Sequence, residues 1–185
     1  MNFTFQVHLD DNDYLEFNKF HNFRSPYGKK IMQTLRIIIG AIFFIAIAWY
    51  LFASEDRFSG ILTAVVLAVM LVLFQAFFKP IFLSSIKRTI ARQKKNEKPG
   101  YSPISELEFN ENFLVEATDD QCTKRKYSTV ERVCIVDGSY IYLYISTVAA
   151  LILPIRSFKS EAQYNEFLEF IKTVCMITEF YNNGK

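Results

Sequence analysis

The chain has 185 residues, of which 51% are hydrophobic and 22% are charged, and its formal net charge is +2 at pH 7. This balance excludes the overall basic character that would by itself indicate a nucleic-acid-binding protein. The hydrophobic residues are clustered, which is typical of a membrane protein. The three cysteines, Cys122, Cys134 and Cys175, form neither a disulfide framework nor metal-binding pairs, as expected in a reducing compartment.

The first thirty residues predict a strand followed by a short helix. The segment FTFQVHL (3–9) alternates apolar and polar residues, as a strand does. The segment DNDYLEFNKFHNFRSP (11–26) fits a helix that is capped by Asp11 or Asp13 and ends before Pro26. Asp10, Asp11 and Asp13 could bind a cation, but capping is the favoured interpretation. We expect no cleavable signal peptide, because a basic start and an apolar core are lacking.

Two apolar runs predict a pair of membrane-spanning helices. Residues 31–52 are apolar at their centre, with Arg36 near one edge, and residues 58–78 are uncharged. At about 1.5 Å per residue, each run can cross a hydrocarbon core of about 30 Å. A chain of this length cannot cover two such helices on all sides, so a buried soluble core is disfavoured. The short connector ASEDRFSG (53–60) makes the helices an antiparallel hairpin.

Small residues recur on the second span at Gly60, Ala64 and Ala68, with a spacing of four. This spacing permits close helix packing. The packing is expected within the hairpin, and the alternative is contact with another membrane protein or a second copy.

The basic residues flanking the spans predict their orientation. Four lysines and arginines precede the first span and seven follow the second, whereas the connector has Arg57 beside Glu55 and Asp56. Because loops rich in lysine and arginine stay on the inner side, both termini are expected in the cytoplasm. The expected location is therefore the cell membrane, with two spans.

Residues 79–100 predict a basic helix that continues from the second span. Apolar residues recur among the charges, so the helix could lie along the headgroups with its basic face toward anionic lipid. The alternative is a charge cluster that only fixes the orientation of the spans. The candidate lipid-binding residues are Lys79, Lys87, Arg88, Arg92, Lys94, Lys95 and Lys98.

The C-terminal half predicts about six short strands and a helix. Four strand-like segments, at 105–110, 112–117, 121–127 and 131–137, are separated by turn residues. The uncharged run SYIYLYISTVAALILPI (139–155) could be a third span, but its alternating tyrosines favour two strands joined at Ser146 and Thr147. A helix is expected from Ser160, which forms a capping box with Gln163. Its apolar face would cover the sheet.

These segments together resemble the YcxB-like family of bacterial membrane proteins. The resemblance is carried by DYLEFNKFH, by ELEFNENFLVE and by ALILPIRSF. Members often have a tryptophan-serine pair where this chain has Tyr127 and Ser128. The resemblance implies a C-terminal domain similar to a small bacterial PH-like barrel, with seven strands closed by a helix. It implies no reaction or ligand.

Together, the sequence and the resemblance predict an α+β membrane protein of the bacterial inner membrane. It would combine a two-helix transmembrane hairpin with a small cytoplasmic antiparallel β-barrel, PH-like and closed by a C-terminal helix. The predicted organisation is an N-terminal strand and helix (1–30), the hairpin (31–83), a basic linker (84–100) and the YcxB-like domain (101–185). The N-terminal strand is expected to join the C-terminal sheet.

We expect a binding or scaffolding module that is not an enzyme. His8 and His21 have no neighbouring metal ligand or nucleophile in the sequence, and the chain has no phosphate-binding glycine loop. No cofactor is expected. Because PH-like barrels can bind anionic headgroups or peptides, the candidate ligand-binding residues are Lys124, Arg125, Lys126 and Arg156. The alternative for the triplet is that charges on an edge strand prevent aggregation.

The expected partners are the lipid bilayer, including anionic lipids, and a membrane protein or a second copy, but no nucleic acid. A lipid-headgroup sensor and a subunit of a transport or secretion assembly are the two alternative functions.

Overall fold

The computed structural model describes residues 2–96, 100–136, 138–175 and 178–181. The chain forms two compact units, one from residues 18–91 and the other from residues 1–17 and 92–185. The N-terminal strand and the C-terminal half therefore belong to the same unit. Lys98 lies outside the described residues.

The unit of residues 18–91 is built from helices. Helix α1 (Asp11–Phe23) ends in it, α2 (Pro26–Ala53) lies wholly within it, and α3 (Arg57–Lys95) runs through it and beyond. Both α2 and α3 are long and apolar enough to span a membrane. Large apolar side chains along them are exposed in the isolated chain, as at Phe44, which is 70% exposed. A lipid environment would account for this exposure.

Helices α2 and α3 pack against each other as the predicted hairpin. Arg36 Nε donates to Gln75 Oε1 at 2.9 Å, so a polar side chain of one apolar helix pairs with a polar side chain of the other. At the connector, a Cβ on Gly60 would lie 2.6 Å from the carbonyl oxygen of Tyr50. Gly60 and Ala64 are buried, whereas Ala68 is exposed. The first two small residues thus serve packing within the hairpin, as expected.

A tight corner joins α1 to α2. Ser25 caps α2: its Oγ accepts from the Gly28 backbone N–H at 3.0 Å and donates to the His21 carbonyl at 2.6 Å. A Cβ on Gly28 would lie 1.7 Å from that same carbonyl oxygen. Only glycine permits this approach of the two helices.

The described residues of the other unit form eight strands in two four-stranded sheets. The first sheet has the order β1-β2-β3-β4 and the second the order β7-β6-β5-β8. All pairs are antiparallel except β5 with β8, which is parallel. The strands are β1 (Phe3–His8), β2 (Ile104–Phe109), β3 (Phe113–Ala117), β4 (Cys122–Lys126), β5 (Arg132–Val136), β6 (Tyr140–Tyr144), β7 (Ala150–Pro154) and β8 (Thr178–Tyr181).

The two sheets and helix α4 (Glu161–Val174) share one apolar core. Because side chains alternate along a strand, each sheet turns one row of apolar residues inward. Phe5 of β1, Phe109 of β2 and Phe167 of α4 are almost fully buried, with ring centroids 4.8–5.8 Å apart. Ser160 accepts from the Gln163 backbone N–H, and Gln163 Oε1 accepts from Lys159, so a cap forms at the predicted residue.

The second face of the β5–β7 sheet is also covered. Tyr142 and Tyr144, which point away from the core, are 1% and 0% exposed. Phe17 of α1 contacts both of their rings, at centroid distances of 5.4 and 6.1 Å. This packing explains why β6 shows continuous burial although its sequence alternates.

The uncharged run that begins at Ser139 is the predicted β6–β7 hairpin and not a third span. The six strand predictions for the C-terminal half are confirmed, and the N-terminal strand joins a sheet of that half, as expected, by pairing with β2. The structure differs from the predicted barrel, because neither sheet closes on itself in the part of the chain that the structure describes. The chain leaves the first sheet through a 3-10 turn (Tyr127–Thr129), which leaves the charged strand β4 as an edge.

Candidate functional site

A cavity of about 340 Å³ opens among the strands of both sheets. Its volume is at the lower end of the range found for small-molecule sites. The first sheet contributes Ser105, Leu107, Glu116 and Arg125, and β7 and the turn before it contribute Ile145 and residues 148–152. Tyr14 of α1 and Tyr101 complete the wall on another side.

Arg125 and Glu116 form a loose ion pair in this cavity. Alternation along β4 turns Arg125 to the face of its register partner Leu114, which is fully buried. Arg125 Nη2 lies 3.6 Å from Glu116 Oε2, which is longer than a hydrogen bond. The two side chains are only 28% and 16% exposed. The Arg125 Nε is buried and has no hydrogen-bond partner among the described residues.

The ion pair of the cavity lies in a region that is recognisable by sequence. Residues 109–171 match the model of a family described as YcxB-like protein. The chain carries a YcxB-like domain. The matched region covers about a third of the 185 residues and includes both Glu116 and Arg125. No curated protein and no solved structure matches the chain. The predicted resemblance is thus confirmed for this domain.

Tyr127, at the position where the resemblance implies a tryptophan, is a core aromatic residue. Tyr127 is 7% exposed, and its hydroxyl donates to the Asn110 carbonyl at 2.7 Å. Burial raises the pKa of Tyr127, so its hydroxyl stays protonated and can donate. The departure from the family pattern is therefore accommodated in the core.

One wall of the cavity is held by a hydrogen-bonded group. The rings of Tyr14 and Tyr101 lie 5.1 Å apart, and the Tyr101 hydroxyl donates to Asp11 at 2.7 Å. Lys94 donates to the other Asp11 oxygen at 2.9 Å. The hydrogen bond from Lys94 contributes most to lowering the pKa of Asp11. Burial, followed by the bond to Asp11, raises the pKa of Tyr101, which keeps that hydroxyl a donor.

The predicted ligand-binding triplet is divided between two faces of β4. Only Arg125 lines the cavity, whereas Lys124 and Lys126 are exposed on the opposite face. Lys124 Nζ lies 3.4 Å from the ring centroid of Phe113, a cation–π contact. The prediction treated the three residues as one group, because it did not assign them to faces.

Arg156, the fourth predicted ligand-binding residue, is engaged within the protein. Its guanidinium donates to both oxygens of Asp13, once at 2.8 Å, and to the His8 carbonyl at 2.9 Å. Asp13 is 1% exposed and also accepts from Tyr140 at 2.9 Å and from the Asp10 backbone N–H at 2.8 Å. Burial raises the pKa of Asp13, but these hydrogen bonds outweigh it and hold that pKa below its usual range.

The acidic cluster before α1 is a cap, as favoured, although the capping residue is Asp10. Its Oδ1 accepts from the backbone N–H groups of Asn12 and Asp13, both at 2.8 Å. The expected cap Asp13 takes part, because its Oδ2 accepts from the Asp10 backbone N–H at 2.8 Å, whereas Asp11 instead accepts from Lys94 and Tyr101. In the described part of the chain, no group of three or more His, Cys, Asp and Glu is placed to hold a metal ion.

The predicted lipid-binding residues lie along α3, which continues without a break through Pro80. Lys94 is the member that pairs with Asp11, and Lys79 Nζ lies 5.5 Å from the ring centroid of Phe23. The described members of the group are all exposed: Lys79, Lys87, Arg88, Arg92, Lys94 and Lys95. Their role at a lipid surface stays a prediction.

The three cysteines differ in accessibility. Cys122 is exposed on β4, whereas Cys134 and Cys175 are buried. Burial raises the pKa of Cys134 to about 12 and that of Cys175 to about 11. Because the thiolate is the reactive form, we expect only Cys122 to react in the folded protein at neutral pH.

Sequence analysis did not identify Glu116 or the cavity. The alternation of NFLVEA places Glu116 on the same strand face as the buried Leu114, which was the available signal. Its proximity to Arg125 depends on the β3–β4 register, which pairs Glu116 with Thr123 and Leu114 with Arg125.

Proposed function

We propose that this protein is a membrane-anchored, non-enzymatic binding or scaffolding module. Its YcxB-like domain, which we compare with PH-like domains, faces the cytoplasm of a bacterial cell. Two long apolar helices and the excess of basic residues outside their connector support this anchoring. Two packed sheets and a C-terminal helix support the comparison with PH-like domains.

The cavity around Arg125 is the observation that carries the binding role. Arg125 and Glu116 both line the cavity, and Arg125 Nη2 lies 3.6 Å from Glu116 Oε2, too far for a hydrogen bond, so a ligand could bind both charged groups. The cavity lining is largely polar, and it also includes apolar side chains such as Leu107 and Leu151. The function is therefore proposed as ligand binding at this cavity.

Retention of small molecules by the purified full-length protein tests this function. The immobilised, detergent-solubilised protein is incubated with the small-molecule fraction of a bacterial extract, and bound compounds are released and identified by mass spectrometry. We expect a compound that the unaltered protein retains and that Ala150→Phe, which narrows the cavity, does not. Lys124→Gln, on the opposite face of the first sheet, should retain it and is the matched control.

Equal retention by the unaltered protein and by Ala150→Phe would contradict the proposed site. A folded variant is recognised by reaction of Cys122 alone with a thiol reagent. A variant that exposes Cys134 or Cys175 has unfolded and is replaced by Ala150→Leu.

A lipid-headgroup sensor is the second candidate, supported by the exposed basic side chains on α3. Each basic residue near an anionic surface contributes about 1 kcal/mol of attraction, and salt screens it. In nanodiscs that contain both lipids, the full chain should then prefer phosphatidylglycerol to phosphatidylcholine. High salt should weaken this preference. Replacement of Lys87, Arg88, Arg92 and Lys95 by glutamine should remove that preference.

A subunit of a transport or secretion assembly is the third candidate. The hairpin itself buries Gly60 and Ala64, so Ala68 is the one member of this small-residue row that stays exposed. A partner protein that crosslinks to the unaltered chain but not to Ala68→Leu would support this candidate, provided that the variant itself stays folded.

A further inference from the structure

We propose that the cavity binds a small zwitterion with an apolar side chain, an amino-acid-type molecule. Its carboxylate would bind Arg125, and its ammonium group would bind Glu116. This inference rests on the proposed binding function and specifies its ligand class.

Arg125 has N–H donors that can bind a carboxylate. A guanidinium has five N–H donors in a planar fork that suits a carboxylate. Arg125 lines the cavity, and its Nη2 lies 3.6 Å from Glu116 Oε2, beyond hydrogen-bond distance. A carboxylate in the cavity could accept hydrogen bonds from the terminal nitrogens of Arg125.

Glu116 places a negative charge beside Arg125 in the cavity. A simple anion that approached Arg125 would also meet Glu116, because the two charged groups are 3.6 Å apart. A simple cation would meet Arg125 in the same way. At such distances in a partly buried site these repulsions are substantial. A molecule that carries both charges side by side matches the pair and leaves the site neutral.

The rest of the cavity wall includes apolar and aromatic side chains. Leu107, Leu151 and Ile145 supply apolar surface, and the aromatic rings of Tyr14 and Tyr101 lie at the same cavity. An aliphatic or aromatic side chain would be buried here, with a gain of about 25 cal/mol per Å² of apolar surface removed from water. The cavity volume of about 340 Å³ suits a molecule of that size.

The test uses full-length protein in detergent and a matched set of probes. L-Leucine, L-valine and L-phenylalanine carry both charges; 4-methylpentanoate keeps only the carboxylate of leucine, and 3-methylbutylamine keeps only its amine. Binding is measured by calorimetry. We expect at least one of the three amino acids to bind and the two single-charge probes to bind about tenfold or more weakly, because each loses a charge-assisted contact.

Two variants should reverse this preference. Glu116→Gln should weaken amino-acid binding and strengthen binding of 4-methylpentanoate, because the repelling carboxylate is removed. Arg125→Gln should weaken amino-acid binding and strengthen binding of 3-methylbutylamine. Lys124→Gln, on the same strand but facing away from the cavity, should change none of these affinities.

The outcomes separate this inference from the function on which it rests. If no amino acid binds but a compound is retained and is lost in Ala150→Phe, the ligand class is wrong and the binding function stands. If the single-charge probes bind as tightly as the amino acids, the inference also fails. If nothing is retained and no probe binds, both fail. Should a variant expose its buried thiols, the comparison of probes on the unaltered protein decides.

Discussion

Asp13 shows how one buried carboxylate joins distant parts of the chain. It accepts hydrogen bonds from Arg156 and Tyr140, which are 143 and 127 residues away in sequence. Arg156 also donates to the carbonyl of His8, the last residue of β1. This network connects the N-terminal strand and helix to the hairpin of β6 and β7. We therefore assign Arg156 a structural contact.

Replacement of Asp13 by asparagine should destabilise the domain by about 1–3 kcal/mol, because the hydrogen bonds of a buried carboxylate to Arg156 and Tyr140 are weakened or lost. The rate at which Cys134 and Cys175 become reactive toward a thiol reagent, measured in increasing denaturant, gives the free energy of unfolding. Asp11→Asn is the matched control. Because Asp11 is 40% exposed and pairs with an exposed lysine, this variant should lose much less free energy of unfolding. Equal losses for the two variants would contradict the account.

The same network predicts a dependence on acid. The pKa of Asp13 is lower in the folded chain than its ordinary value of 3.8. Its contribution to stability is therefore complete above about pH 3.8 and is lost as the pH falls through the lower folded pKa. Asp13→Asn should show a smaller fall in the free energy of unfolding below pH 3.8 than the unaltered protein. An unchanged fall would assign the acid sensitivity to other groups.

At the scale of elements, local sequence was sufficient where the pattern was strong. The alternating tyrosines of β6 and the capping box of α4 predicted a hairpin and a helix, and both formed where expected. The strand β8 was missed, because its pairing partner β5 lies some forty residues earlier and the pairing is parallel. Parallel pairing after a helix leaves no turn signal in the sequence.

The corner between α1 and α2 predicts opposite effects of two glycine substitutions. Gly28→Ala should lower the thermal unfolding midpoint of the detergent-solubilised chain, because its Cβ would lie 1.7 Å from the His21 carbonyl oxygen, and we expect a cost of about 1–3 kcal/mol or more. Gly40→Ala is the control. Its Cβ would meet only Gln75 Nε2 at 3.5 Å, and alanine favours the helix by about 0.5–1 kcal/mol.

Circular dichroism followed against temperature measures both midpoints. The account requires a lower midpoint for Gly28→Ala and an equal or higher one for Gly40→Ala. Two equal decreases would mean that any added methyl group disturbs α2, and that the corner is not the cause.

At the scale of the molecule, composition predicted the two apolar helices and the α+β class, because both depend on runs and periods that are local. The candidate site was harder to predict. The triplet of basic residues was recognised. Arg125 is the member that faces inward, because it lies opposite Leu114 on β3 and shares its face of the sheet. The engagement of Arg156 with Asp13 depends on a contact over 143 residues, which no local pattern contains. Long-range side-chain contacts therefore account for most of what was missed.

Thiol labelling in intact cells tests the proposal that the domain containing the cavity faces the cytoplasm. Cys122 is the exposed cysteine of that domain, and Glu55→Cys places a second reporter in the connector between the two apolar helices. With a membrane-impermeant maleimide, we expect labelling at position 55 in intact cells and labelling of Cys122 only after the membrane is permeabilised. Labelling of Cys122 in intact cells, with position 55 protected until permeabilisation, would contradict the account.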